Sequence, residues 1–124
     1  MTQPLRILLV EDEAFLAMSL EVMLTGTGYE VCQTVATGED AVIAVQQESP
    51  DVILMDIRLA GDIDGIEAAH QIQTCSETPI IFMTGYSDNA IEERAMKLNP
   101  LAYCTKPVRI YELQSILDSV RTSV

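Results

Sequence analysis

Tryptophan is absent, phenylalanine occurs twice and histidine once, and seven Lys and Arg stand against nineteen Asp and Glu. A formal net charge of -12 excludes a surface that grips nucleic acid by its phosphates, which needs basic residues. The same charge suits a cation site or a partner with a basic patch. Cysteine is scarce and widely spaced, at Cys32, Cys75 and Cys104, with no C-x-x-C pair. These read as reduced core or surface thiols of a cytoplasmic protein. No apolar run is long enough to span a bilayer, and acids from residue 11 onward exclude a signal peptide. Repeats, linkers and low-complexity tracts are missing too.

What is present is an apolar chain of 124 residues, 48% hydrophobic, the size of one domain over 1–124. Val52-Ile53-Leu54-Met55 reads as a strand buried on both faces, and it stops on Asp56. Ile7 to Val10 is a similar run, ending in Glu11-Asp12-Glu13. Leu16, Leu20, Met23 and Leu24 then recur at helical spacing up to Gly26 and Gly28. Glu30 to Val35 is a more polar strand, which marks an edge. Thr37-Gly38-Glu39-Asp40 resembles a capping box ahead of a helix with Ala41, Val42, Ala44 and Val45, broken at Ser49-Pro50. Ile66, Ala69 and Ile72 mark a third helix after the loop from Gly61 to Gly65. Ile80 to Met83 is the fourth strand, ending at Thr84-Gly85. Ser87 is expected to cap a helix with Ile91, Ala95 and Leu98, stopped by Asn99-Pro100. A weaker strand, Leu101 to Thr105, precedes Lys106-Pro107. Ile110, Leu113, Ile116, Leu117 and Val120 give a last amphipathic helix.

Five strands alternating with five helices predict an α/β, flavodoxin-like, doubly wound parallel sheet of order 2-1-3-4-5, with the most apolar strands central. In such a sheet the strand ends meet at one edge. Glu11, Asp12, Asp56, Thr84 and Lys106 are therefore expected in one pocket. Three carboxylates so close repel unless a cation joins them. Oxygen ligands without His or Cys favour a hard ion, and Mg²⁺ fits. With the metal and Lys106 present, Asp56 is a competent nucleophile for phosphoryl transfer, and Thr84 can donate to a phosphoryl oxygen.

Taken together and in this order, Glu11-Asp12, the Val-Ile-Leu-Met-Asp56 run, Thr84-Gly85, Tyr103 and Lys106-Pro107 resemble the receiver domain of bacterial response regulators, along the whole chain. The resemblance implies two-component signalling. A sensor histidine kinase or histidine phosphotransfer protein would supply the phosphoryl group, and the domain would catalyse its own phosphorylation and dephosphorylation on Asp56. Asp12 would bind Mg²⁺ directly, Glu11 through water, and the Arg58 carbonyl would complete the metal set of Glu11, Asp12, Asp56 and Arg58. Lys106 would contact the phosphoryl through a position followed by a cis bond to Pro107. Thr84 and Tyr103 would be the switch pair. The face of the fourth helix, fifth strand and fifth helix would then change its affinity for a downstream protein target or, as a homodimer, for a second copy, without nucleic acid or membrane. Glu11 stands where Asp is commoner, the loop after Asp56 is one residue longer than in chemotaxis-type receivers and lacks their Met-Pro pair, and Arg58 and Tyr86 occupy positions that tune loss of the phosphoryl group.

Plainer readings stand beside these. Asp56 could cap a helix, Glu13 could be a solvated helix start, Tyr103 a half-buried aromatic, Lys106 a surface residue, and the methionines core filler. His70 reads as an exposed helix residue. Rival functions are a haloacid-dehalogenase-like phosphatase, a flavodoxin-like FMN binder, for which aromatics around a phosphate loop are lacking, and a receiver fold used only for binding. Whether the chain acts alone or is part of a longer regulator stays open.

Overall fold

Alternation of buried strands and one-sided helices produces three layers. The computed structural model describes residues 3–122. The elements run β1 (Arg6–Val10), α1 (Ala14–Gly26), β2 (Glu30–Val35), α2 (Gly38–Glu48), β3 (Val52–Asp56), α3 (Gly65–Gln73), β4 (Ile80–Thr84), α4 (Asn89–Met96), β5 (Ala102–Thr105) and α5 (Ile110–Thr122). All four pairings are parallel and the order is β2-β1-β3-β4-β5. The most apolar strands are central because each face of them is covered. Leu8, Val10, Ile53, Met55, Ile80 and Phe82 pack under α2, α3 and α4. Ile7, Leu9, Val52, Leu54, Ile81 and Met83 pack under α1 and α5. The period of two along each strand divides one run of sequence between two cores.

Two of the expected boundaries shift. Asp88, not Ser87, caps α4: its carboxylate accepts the Ile91 N–H at 2.8 Å. Ser87 faces another partner, described below. α4 ends at Met96, so Leu98 packs on the core from beyond the helix, and Asn99 takes φ 52° in the turn. Only half of the capping box forms at α2, with Thr37 accepting the Asp40 N–H. Asp40, the acid of the box, only donates its N–H there, while its neighbour Glu39 accepts the Asp62 N–H from the β3–α3 loop. Met55 and Met83 are core residues as expected, whereas Met18 and Met96 are exposed. The three thiols are free; burial pushes that of Cys104 up to about 11, which keeps it protonated. No helix among the described residues is long and apolar enough to cross a membrane.

Asp64 holds two elements at once. One carboxylate oxygen caps α3 through the Glu67 N–H at 2.8 Å, and the other pairs with Arg94 of α4 at 3.1 Å. The ion pair is exposed and contributes little, while loss of an Asp N-cap costs about 1 kcal/mol. Asp64→Ala is therefore expected to lower stability by about 1 kcal/mol in chemical denaturation, with Arg94→Ala close to wild type.

Candidate functional site

Each chemically capable side chain lies at the carboxyl end of a strand, where the parallel order brings them together. Glu11 follows β1, Asp56 ends β3, Thr84 ends β4 and Lys106 follows β5. Glu11, Asp56 and Thr84 are the buried polar residues of the described chain, at 2%, 4% and 1% exposure, although each belongs to a class that normally stays in water. Each has a partner: Glu11 and Asp56 share the Lys106 ammonium, and Thr84 bonds the Tyr86 backbone.

The Lys106 Nζ donates to Glu11 Oε1 at 2.8 Å and to Asp56 Oδ2 at 2.9 Å. Sequence spacing gives no hint that one ammonium bridges both acids. Burial disfavours the charge on Lys106, but its two carboxylate partners outweigh that and hold its pKa above the ordinary lysine value. Burial pushes the Glu11 carboxyl upward and the adjacent Asp56 adds to this, against the pull of Lys106 and the Glu13 N–H. Asp12 points outward and is exposed. Carboxylate oxygens of Glu11, Asp12 and Asp56 lie within 4.8 Å of one another. Three acid oxygens with one exposed flank suit a hard divalent cation that keeps part of its water, so the donor set fits Mg²⁺.

The backbone around Asp56 is packed tightly. The Arg58 N–H reaches Asp56 Oδ1 at 3.3 Å. Gly65 begins α3 against the Asp56 carbonyl: a Cβ there would lie 2.1 Å from that oxygen. Arg58 swings its guanidinium over the Tyr86 ring, 5.2 Å from the centroid. Thr84 donates to the Tyr86 carbonyl and accepts the Tyr86 N–H at 3.2 Å. Tyr103 is half-buried, and its hydroxyl meets Ser87 Oγ, not Thr84. The Lys106–Pro107 bond is cis. His70 is exposed on α3 beside Glu67, away from this cluster.

The sequence profile of the response regulator receiver domain matches residues 7–118. This chain belongs to that family. The receiver domain is 36% identical over 110 residues to the transcriptional regulatory protein PdtaR of Mycobacterium tuberculosis, covering 89% of this chain and 53% of PdtaR. It thus spans about half the length of that curated relative. Among solved structures it is similar to the signal receiver domain of a modulated diguanylate cyclase from Desulfovibrio desulfuricans, with TM-score 0.90, 33% identity, and coverage of 97% of this chain and 95% of that one. It is also similar to the N-terminal domain of a response regulator/sensory box/GGDEF protein from Carboxydothermus hydrogenoformans, with TM-score 0.81, 35% identity and 95% coverage of both. As a receiver domain of two-component response regulators the chain is not placed with the phosphatases, and the Arg58 found two residues after Asp56 is no general acid.

Proposed function

We propose that this receiver, one unit over residues 1–124, accepts a phosphoryl group on Asp56 and changes its binding face in response. The observation that carries this is the single ammonium of Lys106 held between Glu11 and Asp56, within a triad of acids open on the Asp12 side. Glu11, Asp12 and Asp56, with the Arg58 carbonyl, are the groups that would hold Mg²⁺. Bound there, the ion would neutralise acid charge and phosphoryl oxygens.

The chain's own groups do the rest. An Asp56 carboxylate oxygen forms a bond to phosphorus as the phosphorus–nitrogen bond of a phosphohistidine breaks, and the imidazole departs with the electron pair and takes a proton. Lys106 keeps Asp56 oriented and balances the dianion that results. The Thr84 hydroxyl leaves the Tyr86 carbonyl to donate to a phosphoryl oxygen. That exchange frees the loop that holds Ser87, and with it the partner of Tyr103. The face of α4, β5 and α5 then shifts its affinity for a downstream protein or a second copy. The donor would be a sensor histidine kinase or histidine phosphotransfer protein, and the free thiols suit the reducing cytoplasm.

Intact mass after acetyl phosphate tests the reading. One added phosphoryl group is expected with Mg²⁺, none with EDTA, and hydroxylamine should remove it as it does acyl phosphates. No gain with Mg²⁺ would refute it.

The Arg58–Tyr86 stack stands beside the acceptor and should hinder water. The phosphorylated state is expected to outlast that of chemotaxis-type receivers; loss as fast as theirs contradicts the shielding. Arg58→Ala and Tyr86→Ala should each shorten the half-life by about two- to fivefold, the factor that corresponds to an exposed cation–π contact of roughly 0.5–1 kcal/mol.

A further inference from the structure

The loop from β3 to α3 leaves the sheet directly after Asp56 and covers residues 57–64. Its two ends are set by the sheet and by α3. The Ile57 N–H donates to the Met83 carbonyl at 3.0 Å, and the Gly65 N–H donates to the Ile57 carbonyl at 2.7 Å. Its middle rests on the start of α2. Ala60 forms a parallel bridge with Thr37. Ile63 packs so closely on Gly38 that a Cβ there would stand 2.8 Å from Ile63 Cγ1. The Glu39 carboxylate accepts the Asp62 N–H at 3.0 Å. Consecutive residues at one helix start, Thr37, Gly38 and Glu39, thus hold the loop at successive points.

Glu39 does this from an exposed position, where an acid in the first turn of a helix ordinarily needs only water and the helix dipole. The loop is shaped to receive it. Gly61 takes φ 98°, and a Cβ on it would lie 2.8 Å from Glu39 Oε1. The carboxylate therefore fills the space that a side chain at position 61 would need. Towards the acceptor, the same loop carries Arg58. Its N–H reaches Asp56 Oδ1 at 3.3 Å, and its carbonyl belongs to the proposed Mg²⁺ set.

We propose that Glu39 is a positioning residue for the metal site: from the start of α2 it fixes the β3–α3 loop in the shape that offers the Arg58 carbonyl to Mg²⁺. It acts through the loop and not on the acceptor. An ion binds more tightly when its ligands are ordered before it arrives, because the binding step then no longer bears the entropy of ordering them. Loosening the loop lowers the fraction of chains competent to bind, and the Mg²⁺ Kd rises in proportion. The inference rests on the Arg58 carbonyl as a ligand in the proposed function, and binding by wild type tests that reading separately.

Calorimetric titration of Mg²⁺ into the whole chain, with no phosphodonor present, tests it. Glu39→Ala is expected to raise the Mg²⁺ Kd about three- to tenfold, the range that one hydrogen bond of ordinary net strength transmits. Glu39→Gln should stay within about twofold of wild type, because its amide oxygen still accepts the Asp62 N–H. Asp40→Ala removes the other first-turn acid, which bonds Thr37 through its N–H, and should bind Mg²⁺ as wild type does. Acetyl phosphate labelling of Glu39→Ala should be slow at limiting Mg²⁺ and reach the wild-type rate at saturation. Gly61→Ala crowds Glu39 at a positive φ, so it should weaken Mg²⁺ binding as well, and it carries the test where Glu39→Ala does not fold. An unchanged Kd in folded Glu39→Ala would overturn the inference, as would equal weakening in Glu39→Gln or Asp40→Ala, or slow labelling that saturating Mg²⁺ leaves slow. With Glu39→Ala unfolded, an unchanged Kd in Gly61→Ala overturns it, and so does loss of the fold in both, which makes the contact structural. Wild type that binds no Mg²⁺ would overturn the metal set itself, and this inference with it.

Discussion

Asp56→Asn is expected to gain no mass when incubated with acetyl phosphate and Mg²⁺, whereas wild type should gain one phosphoryl group. The substitution is nearly isosteric, so packing at the end of β3 is kept and the change is chemical. An amide nitrogen replaces a carboxylate oxygen, and an amide is no nucleophile toward phosphorus. The neighbours make the substitution benign for the fold. Lys106 still has Glu11 at 2.8 Å, and removing one of two buried acids relieves repulsion. A thermal midpoint within a few degrees of wild type is therefore expected beside complete loss of labelling. Residual labelling at the wild-type rate would move the acceptor to another residue, and an unfolded variant would show that the carboxylate is needed for structure.

Gly65→Ala should be the most damaging single methyl in the molecule. Its Cβ would stand 2.1 Å from the Asp56 carbonyl oxygen and 2.9 Å from Ile57 Cα, both backbone, so no side-chain rotation relieves the clash. The first turn of α3 or the end of β3 has to move. Overpacking of this kind costs about 1–3 kcal/mol, and backbone-on-backbone contact puts it at the upper end. For a domain of this size that lowers the melting temperature by on the order of 10 °C. Because the displaced carbonyl belongs to Asp56, the proposed acceptor moves with it, and phosphorylation is expected to slow by roughly a hundredfold, as for an ångström-scale misplacement. Melting curves and labelling rates for Gly65→Ala beside Gly85→Ala separate the effects. At Gly85 the nearest atom to an added Cβ is Lys106 Cδ at 3.8 Å, an ordinary contact, so that variant should melt near wild type.

Much of this was open to reading in the residues. Runs such as Ile7–Val10 and Ile80–Met83 are continuous because both sheet faces are covered, and β2 is polar because it is an edge. Parallel strands and a right-handed crossover then force Glu11, Asp56 and Lys106 to one end. Ser87 shows where that reasoning fails: Ser and Asp are both good caps, and which one serves α4 depends on where the chain leaves Thr84. Gly65 looked like a loop residue, since nothing in its neighbours in sequence announces the Asp56 carbonyl against it.

The amino-acid sequence by itself determined the fold class, the strand order and the gathering of acids and an amine, because periodicity and chain order obey local rules and strand direction carries them into space. Only the tertiary structure decided that Lys106 bridges Glu11 and Asp56, that Arg58 lies on Tyr86, that Tyr103 meets Ser87, and that Phe15, Met18 and Val22 stay outside. Those choices depend on distances between residues far apart in the chain, set by how helices seat on the sheet. An apolar side chain on a helix carries the same local signature whether it faces the core or the solvent.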